Sequence, residues 1–246
     1  MNFVLFRLSN YRNPQLLLFR YLSSTKNNNA SKTKFNNFVN STNFILDYSN
    51  ENGKREKLFE KEFSSKVFTY EKATVKDLPL IIDFYSTYFN HNEVLCATLK
   101  MTNEEAKEIF TVISKDMETF MLRDGNKFIG MMSAKMIHMS EYPIDKGAIG
   151  TERDYGKLID SGPFKYRTNN LIQTLLEVCE SKIYKDMKFP CIYYHGILGG
   201  IHPKYFAQNL GLLMTSTVME YCKKQNAKYY IGVSTSDASL KLHLKL

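Results

Sequence analysis

The sequence lacks the cysteine and histidine patterns that bind zinc or form a disulfide framework. Its four cysteines are widely spaced, and none forms a CxxC pair or a cluster with histidine: Cys96, Cys179, Cys191 and Cys222. We therefore predict no metal site and reduced, mostly buried thiols, as in a reducing compartment. No apolar run approaches the roughly 20 residues that cross a bilayer, so we predict no membrane partner.

Acidic residues are absent from the first 46 positions, and this absence explains most of the net charge of +8. Six basic residues precede the first acid, Asp47: Arg7, Arg12, Arg20, Lys26, Lys32 and Lys34. The rest of the chain carries only +2. A protein that binds phosphate backbones needs a basic stripe, and the later sequence has none. The charge pattern therefore argues against nucleic acid as a partner.

The first 65 residues divide into two segments by composition. Residues 1–46 are an acid-free leader, rich in Arg, Ser and Asn, that is typical of a mitochondrial presequence with a cleavage site in Arg20–Ser24. The alternative is a disordered extension without a targeting signal, in which case the protein is expected to be cytoplasmic. Residues 47–65 are predicted to be a charged linker, in which Glu51–Glu62 is either a short helix or more linker.

From about Lys66 the pattern is that of one α/β domain, residues 66–246. The predicted order is strand, two helices, hairpin, helix, strand, helix, strand and helix, with the hairpin turn at Gly125-Asn126. Thr102 and Glu105 form a capping box at the start of the second helix. Helices and strands alternate in the second half, which predicts a sheet with parallel neighbours there.

A candidate anion site follows the penultimate predicted strand. The run Ile201–Met214, IHPKYFAQNLGLLM, places Pro203 and a polar turn between a strand end and a helix that begins near Gln208–Gly211. Unpaired N–H groups and the helix dipole at such a turn favour a pyrophosphate, although a single Gly before a helix is also common in ordinary tight turns.

The same run resembles the acyl-CoA loop of the GNAT superfamily of N-acetyltransferases, where a strand ends in V-x-P-x-Y-R before a Gln/Arg- and Gly-rich turn. Pro203 and Tyr205 match the P-x-Y positions. The resemblance implies that acetyl-CoA binds at Ile201, Phe206, Ala207, Gln208, Asn209, Leu210 and Gly211. Phe206 replaces the common Arg, while Ala207 and Asn209 occupy positions where Gly is usual. An alternative register takes Gln208–Gly211 as a Q-x-x-G core.

Two further stretches resemble the arylalkylamine N-acetyltransferase-like branch. Phe89–Leu95, followed by Cys96–Leu99, is similar to F-x-x-D-E-P-L-x-x-(S/A)-L, with Glu93 on its Glu and Val94 on its Pro. Val233–Leu246 resembles the hydroxyl-rich turn and helix that lead into K-L-G-F, and the sequence stops before that Gly-Phe. The resemblance implies a GNAT-like α/β fold, a mixed twisted sheet flanked by helices. Its C-terminal strands are expected to be missing, which leaves one sheet edge exposed.

The implied reaction transfers an acetyl group from acetyl-CoA to a small primary amine. Glu93 is the candidate general base, with a solvated helix-end Glu as the alternative. The resemblance places proton relays at Thr235 and Ser239, which could instead cap the last helix. His243 occupies the position of a Tyr that protonates the leaving thiolate, or is a surface histidine. The degenerate loop leaves a second hypothesis open, a catalytically impaired acyl-CoA-binding or interaction module, and a third, a truncated gene product.

Overall fold

A computed structural model describes residues 2–7, 43–48, 55–63, 66–142, 154–181 and 183–246. The proposed cleavage site at Arg20–Ser24 lies outside these residues, so the presequence interpretation has no structural support. Within the described part of the chain, no helix combines the length and apolar character needed to span a membrane.

One sheet organises the described residues. Its strands are β1 (Asn2–Arg7), β2 (Ile45–Leu46), β3 (Glu56–Phe63), β4 (Lys66–Lys72), β5 (Glu118–Asp124), β6 (Lys127–Met139), β7 (Cys191–Ile201) and β8 (Tyr229–Ser234). The order across the sheet is β1-β8-β7-β6-β5-β4-β3, and short β2 pairs with β6 off this path. The pair β7–β8 is parallel, whereas the other strand pairs are antiparallel.

Seven α-helices of five residues or more occur in the described residues. They are α1 (Leu78–Phe84), α2 (Val94–Thr98), α3 (Asn103–Ile113), α4 (Gly156–Asp160), α5 (Arg167–Glu180), α6 (Leu210–Lys224) and α7 (Asp237–His243). A π-helical turn, Tyr85–Phe89, and a last turn, Asn90–Asn92, continue α1 toward α2. Single π-helical turns inside helices are frequent at functional sites.

The local signals in the sequence hold in the structure. Thr102 Oγ1 accepts the Glu105 N–H at 3.2 Å, and Glu105 accepts the Thr102 N–H at 2.7 Å, so the predicted capping box is confirmed. Gly125 has a φ of +60° at the predicted hairpin turn between β5 and β6. Strand β7 ends at Ile201, the strand end predicted before the polar turn.

Side chains alternate between the two faces of the sheet along its strands, and each face carries a buried core. Tyr194 packs with Val218 and Met219 of α6 on one face, whereas Tyr193 belongs to an apolar cluster on the other. The opposite face also holds the cluster of Phe84, Phe110 and their neighbours from α1 and α3. Period-two alternation along the strands produces this arrangement. The predicted mixed sheet flanked by helices is therefore confirmed.

Two expectations about the ends of the sheet are wrong. Glu51–Glu62 is expected to be a short helix or linker, but its residues 56–62 belong to strand β3, which pairs with β4 while Leu58 and Phe59 pack against the core. The edge of β8 is not exposed, since β1 runs antiparallel along it from Asn2–Ser234 to Arg7–Tyr229. Segments placed before the predicted domain thus complete its sheet.

Candidate active site

The hydrogen-bonded ladder between the parallel strands β7 and β8 ends before the strands themselves do. β7 and β8 pair from Tyr193–Tyr229 to Gly196–Gly232, and their pairing ends there. β7 continues along β6 beyond this point, with a register shift between Ser133 and Ala134. We call the region beyond this last pair, between the carboxyl ends of β7 and β8, the gap, because open α/β sheets bind ligands at this end of their parallel strands.

The predicted cofactor loop lies where β7 ends. After Ile201, a 3₁₀ turn at Pro203–Tyr205 leads to Ala207 and Asn209, which have φ values of +60° and +58°. Asn209 occupies the N-cap position of α6, which starts at Leu210, but its side chain makes no cap hydrogen bond. Left-handed residues beside a helix N-terminus turn successive N–H groups toward one side and form a concave anion site. These are the two positions where the resemblance expected Gly.

Side chains around the loop explain its packing. Gln208 Nε2 donates to the Lys204 carbonyl at 3.2 Å, so this side chain braces the loop. Phe206, at the usual Arg position, is 42 % exposed. A Cβ on Gly211 would lie 2.7 Å from Leu242 Cδ1 and 3.5 Å from Ile201 Cδ1. The small residue therefore lets α7 pack directly against the start of α6.

Glu93 is held next to β7 by the segment before it. The Phe89 ring lies against Gly200, where an added Cβ would be 3.1 Å from Phe89 Cδ2. Glu93 N donates to the Phe89 carbonyl at 2.8 Å, which fixes the following turn to that contact. The side chain caps α2, because its Oε2 accepts the Cys96 N–H at 2.8 Å. Its Oε1 is buried and accepts no hydrogen bond from an N–H or O–H group of the described residues, although the Cys96 thiol interacts with the same carboxylate. A buried, unsatisfied carboxylate oxygen is uncommon and points to a proton acceptor or a ligand contact.

The predicted residues of the last helix have different roles. Ser236 is the true cap of α7, since its Oγ accepts the Ser239 N–H at 3.2 Å. Ser239 Oγ donates to the Ser236 carbonyl at 3.0 Å, so its hydroxyl proton is engaged in the cap. Thr235 is half-buried at the end of β8. His243 Nδ1 lies 3.0 Å from Ser234 Oγ, and burial lowers the pKa of this imidazole.

Sequence reasoning missed several polar groups near the gap. Ser234 was not singled out, although it is the hydroxyl that pairs with His243. His195 Nε2 lies 2.9 Å from Glu180 Oε1, one residue before the last β7–β8 pair, and both side chains are largely buried. Nothing in their spacing could reveal this pair, because a helix end and a strand bring it together. The described residues contain no group of three metal-ligating side chains.

Comparisons with known proteins support the fold. No protein-family profile and no curated protein matches the sequence. Solved structures do match. A mosquito arylalkylamine N-acetyltransferase-like 5b has a TM-score of 0.58 at 18 % identity over 72 % of this chain and 81 % of its own. The putative arylalkylamine N-acetyltransferase 7 of Aedes aegypti has a TM-score of 0.61 at 10 % identity over 78 % and 80 %.

A third similar structure is the polyamine N-acetyltransferase of Drosophila melanogaster. Its TM-score is 0.53 at 14 % identity, over 72 % of this chain and 81 % of its own. At such identities the likeness concerns the arrangement of strands and helices. Together with the parting of β7 and β8 and the loop before α6, it shows that this chain has the fold of the GNAT N-acetyltransferases.

Proposed function

We propose that the protein transfers an acetyl group from acetyl-CoA to a small primary amine. The observation that carries the proposal is the loop at the end of β7, whose left-handed Ala207 and Asn209 lie at the N-terminus of α6 beside the gap between parallel strands. The neighbouring structures support the reaction class, since their names describe N-acetyltransferases acting on arylalkylamines and polyamines.

The residues of the loop fit a pyrophosphate. Backbone N–H groups in the first turn of a helix have no partner within the helix, and the dipole favours an anion there. Residues 207–211 would hold the phosphates. Ile201 would border the part of acetyl-CoA that extends from the phosphates into the gap. Acetyl-CoA would supply the acetyl group in an activated thioester. The replacement of the usual Arg by Phe206 removes one charged donor, so binding depends mainly on backbone groups.

Glu93 is proposed to take the proton that the amine must lose before it attacks. Its buried Oε1 is the proposed acceptor, because no N–H or O–H group of the described residues occupies it, while Oε2 stays engaged with the Cys96 N–H. The Ser234–His243 pair borders the other strand of the gap and is proposed to return a proton to the leaving thiolate. Because burial lowers the pKa of His243, the resting imidazole is neutral at neutral pH. It can therefore pass a proton to the thiolate only by taking one up at its other nitrogen, such as the second proton that the amine releases once it is acylated. Thr235 remains a candidate relay, whereas the engaged hydroxyl of Ser239 favours capping.

An acyl-CoA-binding module without turnover is the second candidate. The packing of Leu242 against Gly211 and the Phe at position 206 favour it, because both reduce the room and charge available at the loop. Such a protein would bind acetyl-CoA but acetylate no amine. A turnover assay with a panel of arylalkylamines and polyamines separates the two functions.

The first experiment is a calorimetric titration of the full chain with acetyl-CoA, comparing Asn209→Asp with Asn226→Asp. Both residues are left-handed, with φ values of +58° and +61°, and they lie at opposite ends of α6. An added carboxylate at position 209 repels phosphate by about 1.4–2.8 kcal/mol, so affinity falls about 10- to 100-fold. The same substitution at position 226 leaves affinity within twofold.

The stability of these variants provides an internal check. Asp at the N-terminus of α6 interacts favourably with the helix dipole, so Asn209→Asp keeps or slightly raises the free energy of unfolding. Lost binding in a chain of unchanged stability therefore locates the phosphate site. Equal affinity in the wild type and in Asn209→Asp, or no binding by the folded wild type, contradicts the proposal.

A further inference from the structure

We propose that residues 43–47, which we name the strap, position both the cofactor loop and the segment that carries Glu93. This inference rests on the function proposed above. The strap lies before the predicted domain and contains β2, whose residues Ile45 and Leu46 pair with Phe128 and Lys127 of β6. It contributes no residue to the predicted acetyl-CoA site. Its role follows from what its side chains and carbonyls contact.

The first contact fixes the start of the cofactor loop. The Phe44 ring stacks on the His202 ring, with centroids 4.4 Å apart and planes 29° apart. His202 is fully buried and joins β7 to the loop, since its N–H donates to the Ile129 carbonyl at 2.7 Å and its Nδ1 accepts the Lys204 N–H at 3.2 Å. Burial lowers the pKa of the imidazole, and the Asn43 carbonyl offsets only part of this effect. The ring is thus a neutral spacer between the strap and the loop.

The second contact reaches the segment before Glu93. Tyr88 lies in the π-helical turn, and its hydroxyl donates to the Asn43 carbonyl at 2.6 Å. The Tyr88 ring also meets the His202 ring edge-on, with centroids 4.5 Å apart. One short segment therefore contacts the loop proposed to hold the phosphates and the turn that leads to the proposed base. A shift of the strap moves both together.

A buried ion cluster anchors the strap at its other end. Asp47 is 3 % exposed and forms an ion pair with Arg55, and its N–H donates to the Asn126 carbonyl at 2.8 Å. Arg55 also contacts Asp77 at the start of α1, with Nε to Oδ2 at 3.0 Å. Burial lowers the pKa of Arg55, but its hydrogen bonds to Asp77 and Asp47 outweigh this and hold the pKa above its ordinary value.

The second arginine of the cluster ties it to the sheet. Arg123 Nη2 donates to Glu71 Oε2 at 2.9 Å, and its Nε lies 3.7 Å from Asp47 Oδ2. Burial raises the pKa of Asp77, yet hydrogen bonds from Arg55 and the Thr74 backbone hold it below its ordinary value. The two arginines and three carboxylates thus form one buried network of opposite charges, and breaking one pair leaves uncompensated buried charge. This anchor makes the strap a fixed support.

The test compares Phe44→Ala with two controls in the full chain. Tyr48→Ala removes an aromatic ring that is 63 % exposed directly after the strap. Val178→Ala removes buried packing in α5, away from the loop, and so reproduces a general loss of stability. Phe44→Ala is expected to raise the Kd and KM for acetyl-CoA about tenfold, equivalent to about 1.4 kcal/mol. Phe44→Tyr keeps a ring on His202 and is expected to restore the wild-type value.

Two outcomes overturn the inference. One is that Phe44→Ala lowers the Tm as Val178→Ala does but leaves the Kd for acetyl-CoA unchanged. The other is that both variants raise the Kd equally, which would indicate general destabilisation. If the wild type binds no acetyl-CoA, the proposed function fails but the strap can still be judged by amide hydrogen exchange. Exchange at residues 203–212 must then increase in Phe44→Ala and not in Tyr48→Ala.

Discussion

The substitution Glu93→Gln gives the sharpest test of the proposed chemistry. The amide oxygen of Gln can still accept the Cys96 N–H, so the cap of α2 survives and the free energy of unfolding changes by no more than about 1 kcal/mol. The ability to take a proton is lost. Loss of a general base costs about 10²- to 10⁴-fold in kcat/KM, or roughly 3–5.5 kcal/mol in the barrier. Affinity for acetyl-CoA should not change, because Glu93 lies outside the loop.

The pH dependence separates loss of the base from loss of structure. Without a base, the variant depends on amine that is already unprotonated, and an alkylamine has a pKa of about 10.4. Its rate should therefore rise about tenfold for each unit between pH 7 and pH 9, and the defect relative to wild type should narrow. The assay measures release of the CoA thiol at saturating acetyl-CoA. Glu104→Gln, an exposed residue in the first turn of α3, is the control. Activity within threefold of wild type in Glu93→Gln refutes the assignment.

Three further predictions concern the framework of the site. Ala207→Gly should raise the free energy of unfolding by about 0.5–1 kcal/mol in urea titrations, because Gly adopts its φ of +60° without steric cost; a decrease contradicts this. Burial holds the pKa of His243 below its ordinary value, so the unfolded chain binds the proton first and stability falls as the pH drops below about 6.5; His243→Gln should flatten that fall between pH 7 and pH 5. Gly196→Ala should cost about 1–3 kcal/mol, because its Cβ would lie 2.0 Å from the Tyr230 hydroxyl oxygen, and Tyr230→Phe in the same chain should recover part of the loss.

The sequence predicted those parts of the fold that depend on local signals. The capping box at Thr102, the turn at Gly125 and the cofactor strand ending at Ile201 need only neighbouring residues, and each occurs where predicted. The order of helices and strands from position 66 onward follows from the same periodicities. The left-handed backbone at Ala207 and Asn209 also agrees with the Gly positions of the loop pattern.

The features that the sequence did not predict depend on contacts between residues that are distant in the sequence. β3 reads as a charged linker because its Glu and Lys residues dominate its composition, and only pairing with β4 makes it a strand. The pair formed by Glu180 and His195 joins a helix end to a strand, and the contact of Phe44 with His202 joins a segment outside the predicted domain to the loop. No spacing rule connects such residues. The sequence therefore predicted the turn before α6 better than the contacts that support it.

The pairing of β1 with β8 has a consequence for how the protein folds. The register joins Asn2 to Ser234 and Arg7 to Tyr229, so residues far apart in the sequence must meet before this strand pair can form. Such distant contacts carry a large loop-closure entropy and slow folding. During synthesis the first strand is made long before its partner leaves the ribosome. We expect β1 to dock last, after β4 to β7 have formed, and β8 to expose an unpaired edge until then.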